Sequence, residues 1–581
     1  MSLKNLGDVT YFRLNNEINR PVNNQIPLHK DKEALDAFFK ENVEPNYVKF
    51  NSFKERLDYL IEHDYIDTTM TDKYSVEFME ELHNWLYAQN FQFKSFMAAY
   101  KFYQQYALKT NDNEYYLENV EDRIWNNALY FADGNEQLAK DLAEELVNQR
   151  YQPATPSYLS AGRSRRGELI SCFLIDISQD SMNSIGRSIN SALQLSRIGG
   201  GVGLNLSNLR EAGAPIKGIQ NAASGVVPVM KLLEDSFSYS NQLGQRQGAG
   251  AVYLSVHHPD IMSFLSTKKE NADEKIRVKT LSLGLVVTDR FYEAARKNEP
   301  LYQFSPYDVE REYGKAFSYI DINAEYDNLV NNPRITKTSV NARVLEEEIS
   351  KLQQESGYPY IMNVDVVNRA NPAGGRVIMS NLCSEILQAQ KPSLLNNDQS
   401  YELVGEDISC NLGSMNLVNL MASPDFGKSI GTAMRALTYV SDSSSVDTVP
   451  TVKNGNAKNH TTALGLMNLH GYLAQNLIEY GSPESLEVTH AVFMMMNYYS
   501  LLESNKLAKE RGEVFEDFHE SDYASGKYFE KYLNNDYAPK TPRIKELFKG
   551  HHIPTKEDWE RLMDDVIEYG IYNRYRLAVA P

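Results

Sequence analysis

Along the first quarter of the chain, apolar residues recur three and four positions apart, the period of an amphipathic helix. Leu35, Phe38 and Phe39 mark one such stretch between Asp31 and Val43. Ser52 with Glu55 reads as a capping box ahead of Leu57, Leu60 and Ile61. Phe78, Leu82, Trp85 and Leu86 keep the same spacing, as do Phe96, Tyr100, Tyr103 and Tyr106. Asn135 to Arg150 predicts a further amphipathic helix. Aromatic stripes at helical spacing predict core packing, so this region reads as a helical domain, residues 1–155.

The period changes at Gln152-Pro153-Ala154-Thr155-Pro156, where two prolines stop the helices. Glu168 to Ile177 is a continuous apolar run, the pattern of a strand covered on both faces. A helix over Ser184 to Ile198 and a glycine cluster, Gly199-Gly200-Gly201-Val202-Gly203, lead into Leu204-Asn205-Leu206. Strand, helix, glycine turn and strand predict a parallel α/β unit. The cluster fits neither a phosphate-binding loop nor a dinucleotide fingerprint, so it predicts a tight turn with close backbone approach. Alternation continues: a strand over Val278 to Val287, helices over Asp289 to Lys297 and Leu345 to Glu355, and a strand over Tyr358 to Met362. Leu464 to Arg511 reads mainly as helix, Asp536 to Pro542 as a connector, and a last helix runs from about Thr555 to Tyr572.

The chain has 581 residues, 42% hydrophobic and 23% charged, the composition of a globular protein with room for several domains. A formal net charge of −18 argues against a general nucleic-acid binder. No apolar signal core opens the chain and no apolar run is long enough to span a bilayer, so a cytoplasmic location is expected, with no membrane partner. Only three cysteines occur, Cys172, Cys383 and Cys410. That excludes a disulfide framework, and the absence of Cys-x-x-Cys or paired-histidine spacing argues against a metal site.

Ser380-Asn381-Leu382-Cys383-Ser384-Glu385-Ile386 carries the densest chemistry. If extended, it puts Asn381, Cys383 and Glu385 on one face: an amide, a thiol and a carboxylate together. Each cysteine lies in or beside a strand-like segment. Two thiols supply two electrons by closing to a disulfide, which leaves the third a separate task.

These residues carry a resemblance. Gln152 to Pro156, Arg166 to Cys172, Gly199 to Asn205, Gly244 to Gly248, Ser380 to Glu385, Asp407-Ile408-Ser409-Cys410-Asn411-Leu412-Gly413, Met467 to Tyr472 and Tyr575 to Pro581 together resemble the large, catalytic subunit of class I ribonucleotide reductases, most closely the class Ib branch. The likeness covers essentially the whole chain. It implies a ten-stranded α/β barrel over residues 156–581 behind the helical domain, and reduction of ribonucleoside diphosphates for DNA synthesis. Cys383 would become a thiyl radical and take the ribose 3′-hydrogen, Glu385 would be the base for the 3′-hydroxyl, and Asn381 would hold the intermediate. Cys172 and Cys410 would form the reducing pair. Thr155, Ser171, Gly201, Leu382 and Ser384 match substrate-contacting positions, and Asp180, Arg210 and Arg246 match the site and loop for deoxynucleoside triphosphate or ATP effectors. Asp180 is preferred to Asp176 as the effector acid. The implied partners are a metal-containing small subunit that supplies the radical, a glutaredoxin- or thioredoxin-like reductant and a second copy of the chain; no cofactor is expected to bind directly.

Two departures accompany the match. No complete ATP-cone is recognisable near the N-terminus. Pro581 precedes the family's Thr-Gly-Ser phosphate turn, last barrel strands, tyrosine pair and cysteine-bearing tail, so either a segment interrupted by an intein, an intron or a gene split and needing a C-terminal complement, or a degenerate gene, is expected. The alternatives are a non-catalytic nucleotide-binding fragment, and a glycyl-radical enzyme on the same barrel.

Overall fold

The computed structural model describes residues 9–164, 167–240, 248–444 and 446–579. The chain forms two compact units, Met1–Gly167 and Glu168–Pro581.

The first unit is helical, as the periodicity predicts. Helix Phe53–Glu62 starts at Ser52, whose Oγ accepts from Glu55 N at 3.2 Å. Glu55 Oε2 reaches back to Asn51 N rather than to Ser52, so the capping box is only half closed. The aromatic stripes are core: Phe38 packs against Tyr11, Phe96, Tyr100 and Tyr103. Two stretches read as plain helix, near Phe39 and Phe102, continue as π-helical turns, Phe39–Val43 and Phe102–Tyr106. Helix Val120–Ala132 is buried along nearly its whole length and carries polar side chains inward. Burial pushes the Asp122 carboxyl up, but Arg56, His83 and the Asn119 amide outweigh it and hold its pKa at about 2.

The second unit is an α/β domain built on a six-stranded sheet. Its strands are β1 (Cys172–Asp176), β2 (Gly201–Asn205), β3 (Gly250–Ser255), β4 (Ser282–Val287), β5 (Tyr360–Asn363) and β6 (Ile408–Cys410). β1 through β5 lie side by side in chain order and all parallel. β6 closes onto the outer edge of β1 antiparallel. A separate parallel pair joins β7 (Leu412–Asn416) to β8 (Ala463–Met467), so Leu464 lies in a strand rather than in the helical region expected there. The helices that follow, Leu469–Gln475 and Pro483–Arg511, do match that expectation.

The parallel strands β1 to β4 are buried on both faces, which explains their largely apolar sequence. On one face, Phe173, Ile175, Val202, Leu204, Val252, Leu254, Leu283 and Leu285 pack against flanking helices in a large core. The opposite face carries Cys172, Leu174, Ala251, Tyr253, Val286 and Met362, and the segment Val377–Ala389 packs on it. That face is lined with small residues where the segment passes. A Cβ at Gly201 would lie 2.8 Å from Leu382 Cδ2, and one at Gly203 2.5 Å from Ser380 O. Close approach of this segment therefore accounts for two glycines of the cluster, by the Leu382 side chain at Gly201 and by backbone at Gly203.

Candidate active site

Ser380–Ile386 is not extended. Ser384 N donates to Asn381 O at 3.2 Å, closing a turn with Leu382 and Cys383 at its centre, and Ser384 adopts a left-handed φ of 67°. The expected alternation of side chains is thereby lost, because it needs a strand with a neighbour to bond to. The turn instead lies over β2 at Gly201 and Gly203. Asn381 anchors it: Oδ1 accepts from Ile386 N at 3.0 Å and from Ser380 Oγ at 3.3 Å. Cys383 at the tip is exposed.

The other two cysteines face each other. Cys410 on β6 pairs with Cys172 on β1 in the antiparallel register. Directly opposed residues in such a ladder have Cα atoms about 4.5–5.5 Å apart, inside the window of about 4.4–6.8 Å for a disulfide. Both are buried and reduced. Burial, then the charge of Glu385, pushes the Cys172 thiol up to about 12, the neighbouring Asn381 amide working against it. Burial, then Cys172 and Glu385, raises Cys410 well above the ordinary thiol range. Both thus remain S–H at neutral pH. Cys383 acts electrostatically on both, so the three thiols and Glu385 share one neighbourhood. The cysteine end of β1 is its N-terminal end, whereas chemistry in α/β barrels usually gathers at the C-terminal ends.

Two polar atoms there are buried without a well-aligned partner, Asn381 Nδ2 and Glu385 Oε2. One is a donor and the other an acceptor, the complement of a hydroxyl-bearing ligand. Ser171 Oγ donates to Cys410 O at 3.5 Å, and Gly201 N to Ser171 O at 3.0 Å, tying those two positions to the same strand ends.

Side chains extend the short β1–β6 ladder. Asp407 Oδ1 accepts from Asp176 N at 3.0 Å and from Gln390 Nε2 at 2.9 Å, while that Nε2 also reaches Leu174 O at 3.2 Å. Burial pushes the Asp407 carboxyl up to about 7, and Asp176 nearby adds to this. Asp176 itself is saturated by Asn205, Asn208, Ser178 and Tyr319.

Among the remaining candidates, Asp180 forms an ion pair with Arg210, whose guanidinium lies 4.5 Å from the Tyr307 ring and donates to Pro215 O at 2.8 Å. Thr155 belongs to the first unit, where its Oγ1 is 3.0 Å from Tyr106 OH. Arg246 lies outside the described residues. Among the described residues no group of His, Cys, Asp and Glu could hold a metal ion, and no helix is long and apolar enough to cross a membrane.

The pattern of the ribonucleotide reductase barrel domain matches residues 170–581, that of its all-alpha domain 92–166, and that of its N-terminal region 11–91. The chain belongs to the ribonucleotide reductase family, among its large, or alpha, subunits. It is similar to the ribonucleoside-diphosphate reductase subunit alpha of Bacillus subtilis (strain 168), 48% identical over 98% of this chain and 82% of that protein. The subunit alpha of Mycoplasma pneumoniae is 49% identical over 95% of this chain and 77% of its own length. That of Treponema pallidum is 31% identical over 92% and 63%. As a reductase alpha subunit the chain is an oxidoreductase that serves the making of DNA precursors, and its barrel domain begins two residues before Cys172. The reductase-family reading from the cysteine motifs is thus borne out, as is the α/β barrel with an all-helical region before it.

Sequence reading missed Tyr253, Gln390 and Gly284. Strand alternation puts Tyr253 on the same face as Ala251, a usable signal, but nothing in the sequence says which segment covers that face.

Proposed function

We propose that this chain reduces ribonucleoside diphosphates at the Cys172–Cys383–Cys410 centre by thiyl-radical chemistry. Support comes chiefly from one observation: two buried thiols in cross-strand register beside an exposed thiol on a glycine-cushioned turn, with one amide nitrogen and one carboxylate oxygen lacking a well-aligned partner at hand. A metal-containing small subunit supplies the oxidising equivalent, as the family's alpha subunits depend on a partner for the radical.

In this reading the Cys383 thiyl takes the ribose 3′-hydrogen, becoming S–H and leaving a radical at C3′. Glu385 accepts the 3′-hydroxyl proton, and Asn381 Nδ2 donates to the substrate oxygens. The 2′-hydroxyl leaves as water with a proton from the buried pair. Cys172 and Cys410 give up two electrons and two protons in all, one proton leaving in the water and the second hydrogen going to C2′, and close to a disulfide. Cys383 then returns its hydrogen to C3′ and is again a thiyl, and Glu385 returns its proton to the 3′-oxygen. High thiol pKa values suit this division, since the pair must act as hydrogen and proton donors rather than as thiolates. Ser171, Gly201, Leu382 and Ser384 are assigned to substrate contact. Asp180 and Arg210, with Arg246, are assigned to a nucleoside triphosphate effector, and Asp176 is left to the barrel because its oxygens are already taken.

The test is deoxynucleotide formation by the chain with its partner subunit, comparing wild type with Cys383→Ser, Cys172→Ala and Cys410→Ala. Loss of product in Cys383→Ser with intact binding of the diphosphate is expected. Product formation by Cys383→Ser would overturn the assignment.

A further inference from the structure

One backbone hydrogen bond, from Ser384 N to Asn381 O, closes the turn that carries Cys383. Both of its ends are also held by one side chain from the sheet. Tyr253 OH lies 2.7 Å from Asn381 O and 2.8 Å from Ser384 Oγ. The phenol has one proton. Asn381 O can only accept, so the phenol donates to it and its oxygen receives the Ser384 hydroxyl proton. Tyr253 is fully buried, and burial above all pushes its pKa up to about 12, so it stays a donor at neutral pH. Room for the ring is made by Gly284, its register partner on β4: a Cβ there would sit 2.3 Å from the Tyr253 ring.

We propose that Tyr253 is a positioning residue for the reaction, its phenol oxygen bridging Asn381 and Ser384 so that the strained turn presents Cys383 in one place. This rests on the assignment of Cys383 above. The left-handed Ser384 is a conformation that a non-glycine residue keeps only when its surroundings impose it. The phenol imposes it from the sheet side, while Gly201 and Gly203 set the depth at which the loop lies. Without the hydroxyl the ring still fills its site, so packing survives and only the bridge is lost.

Tyr253→Phe, Ser384→Ala and the double variant, each in the full chain, provide the test. Hydrogen exchange of amides 381–386 is read by mass spectrometry, together with kcat and KM in the presence of the partner subunit. Tyr253→Phe is expected to exchange at least tenfold faster in this segment. Its kcat should fall ten- to a hundredfold and its KM change less than twofold, while the double variant should exchange no faster in this segment than Tyr253→Phe alone. Wild-type exchange in Tyr253→Phe, or independent additive effects of the two substitutions on exchange, would overturn the bridge. Should Tyr253→Phe fail to fold, Ser384→Ala alone decides: unchanged exchange there rejects the proposal. If Cys383→Ser keeps its activity, the catalytic assignment fails by itself, and the exchange data still judge the bridge.

Discussion

Gly203→Ala is the most direct perturbation of the link between barrel and chemistry. A Cβ at 203 would stand 2.5 Å from Ser380 O and 3.1 Å from Asn381 Cα, where ordinary contact begins at 3.4 Å. The difference, 3.4 − 2.5, asks for about 0.9 Å of movement. Both obstructing atoms are backbone, so no flexible side chain can swing aside, and β2 is locked between β1 and β3. The loop is the part that yields, and Cys383 and Asn381 move with it. A displacement of about 1 Å at reacting groups costs on the order of a hundredfold in rate, while overpacking costs about 1–3 kcal/mol of stability. The assay is steady-state deoxynucleotide formation with the partner subunit, alongside thermal unfolding. A hundredfold fall in kcat and a loss of a few degrees in Tm are expected. Wild-type kcat and Tm would show that the loop does not rest on β2, and would remove the steric reason for a glycine at 203.

Mild oxidation should join Cys172 to Cys410 in a single intramolecular disulfide, leaving Cys383 open to alkylation; peptide mapping that finds mainly Cys383-linked disulfides would refute the cross-strand register. Asp407 predicts a pH dependence. Its folded pKa of about 7 exceeds the ordinary 3.8, so the native state holds a proton the unfolded chain has released, and stability falls as pH rises from about 4 to 7 and then levels. The gap amounts to on the order of 4 kcal/mol, and Asp407→Asn should flatten this segment of the stability–pH curve measured by denaturant unfolding; an unchanged slope would reject the shift. A deoxynucleoside triphosphate at a hundred times its Kd should stabilise the native state by about 2.7 kcal/mol. Arg210→Ala should abolish that gain in a thermal-shift titration, and a full gain in the variant would remove Arg210 from the effector site.

Some of this protein was legible one residue at a time. Helical periodicity and proline stops located the helical region, because a helix buries one face and its spacing must show it. Uninterrupted apolar runs announced parallel strands, because burial on both faces leaves no polar alternation. The cysteines and their flanking motifs carried the family. The placement of the thiols was decided by tertiary structure. Cys172 and Cys410 are far apart in the chain, and only the antiparallel addition of β6 to the edge of β1 sets them opposite each other. The Cys383 segment has strand-like spacing, yet it turns, because its partner is the inner face of a sheet whose own hydrogen bonds are already satisfied by neighbouring strands. With no ladder to join, its backbone bonds to itself and to Tyr253. Gly201, Gly203 and Gly284 look alike in sequence to any strand glycine. Their role exists only once a loop and a ring lie where their side chains would have been.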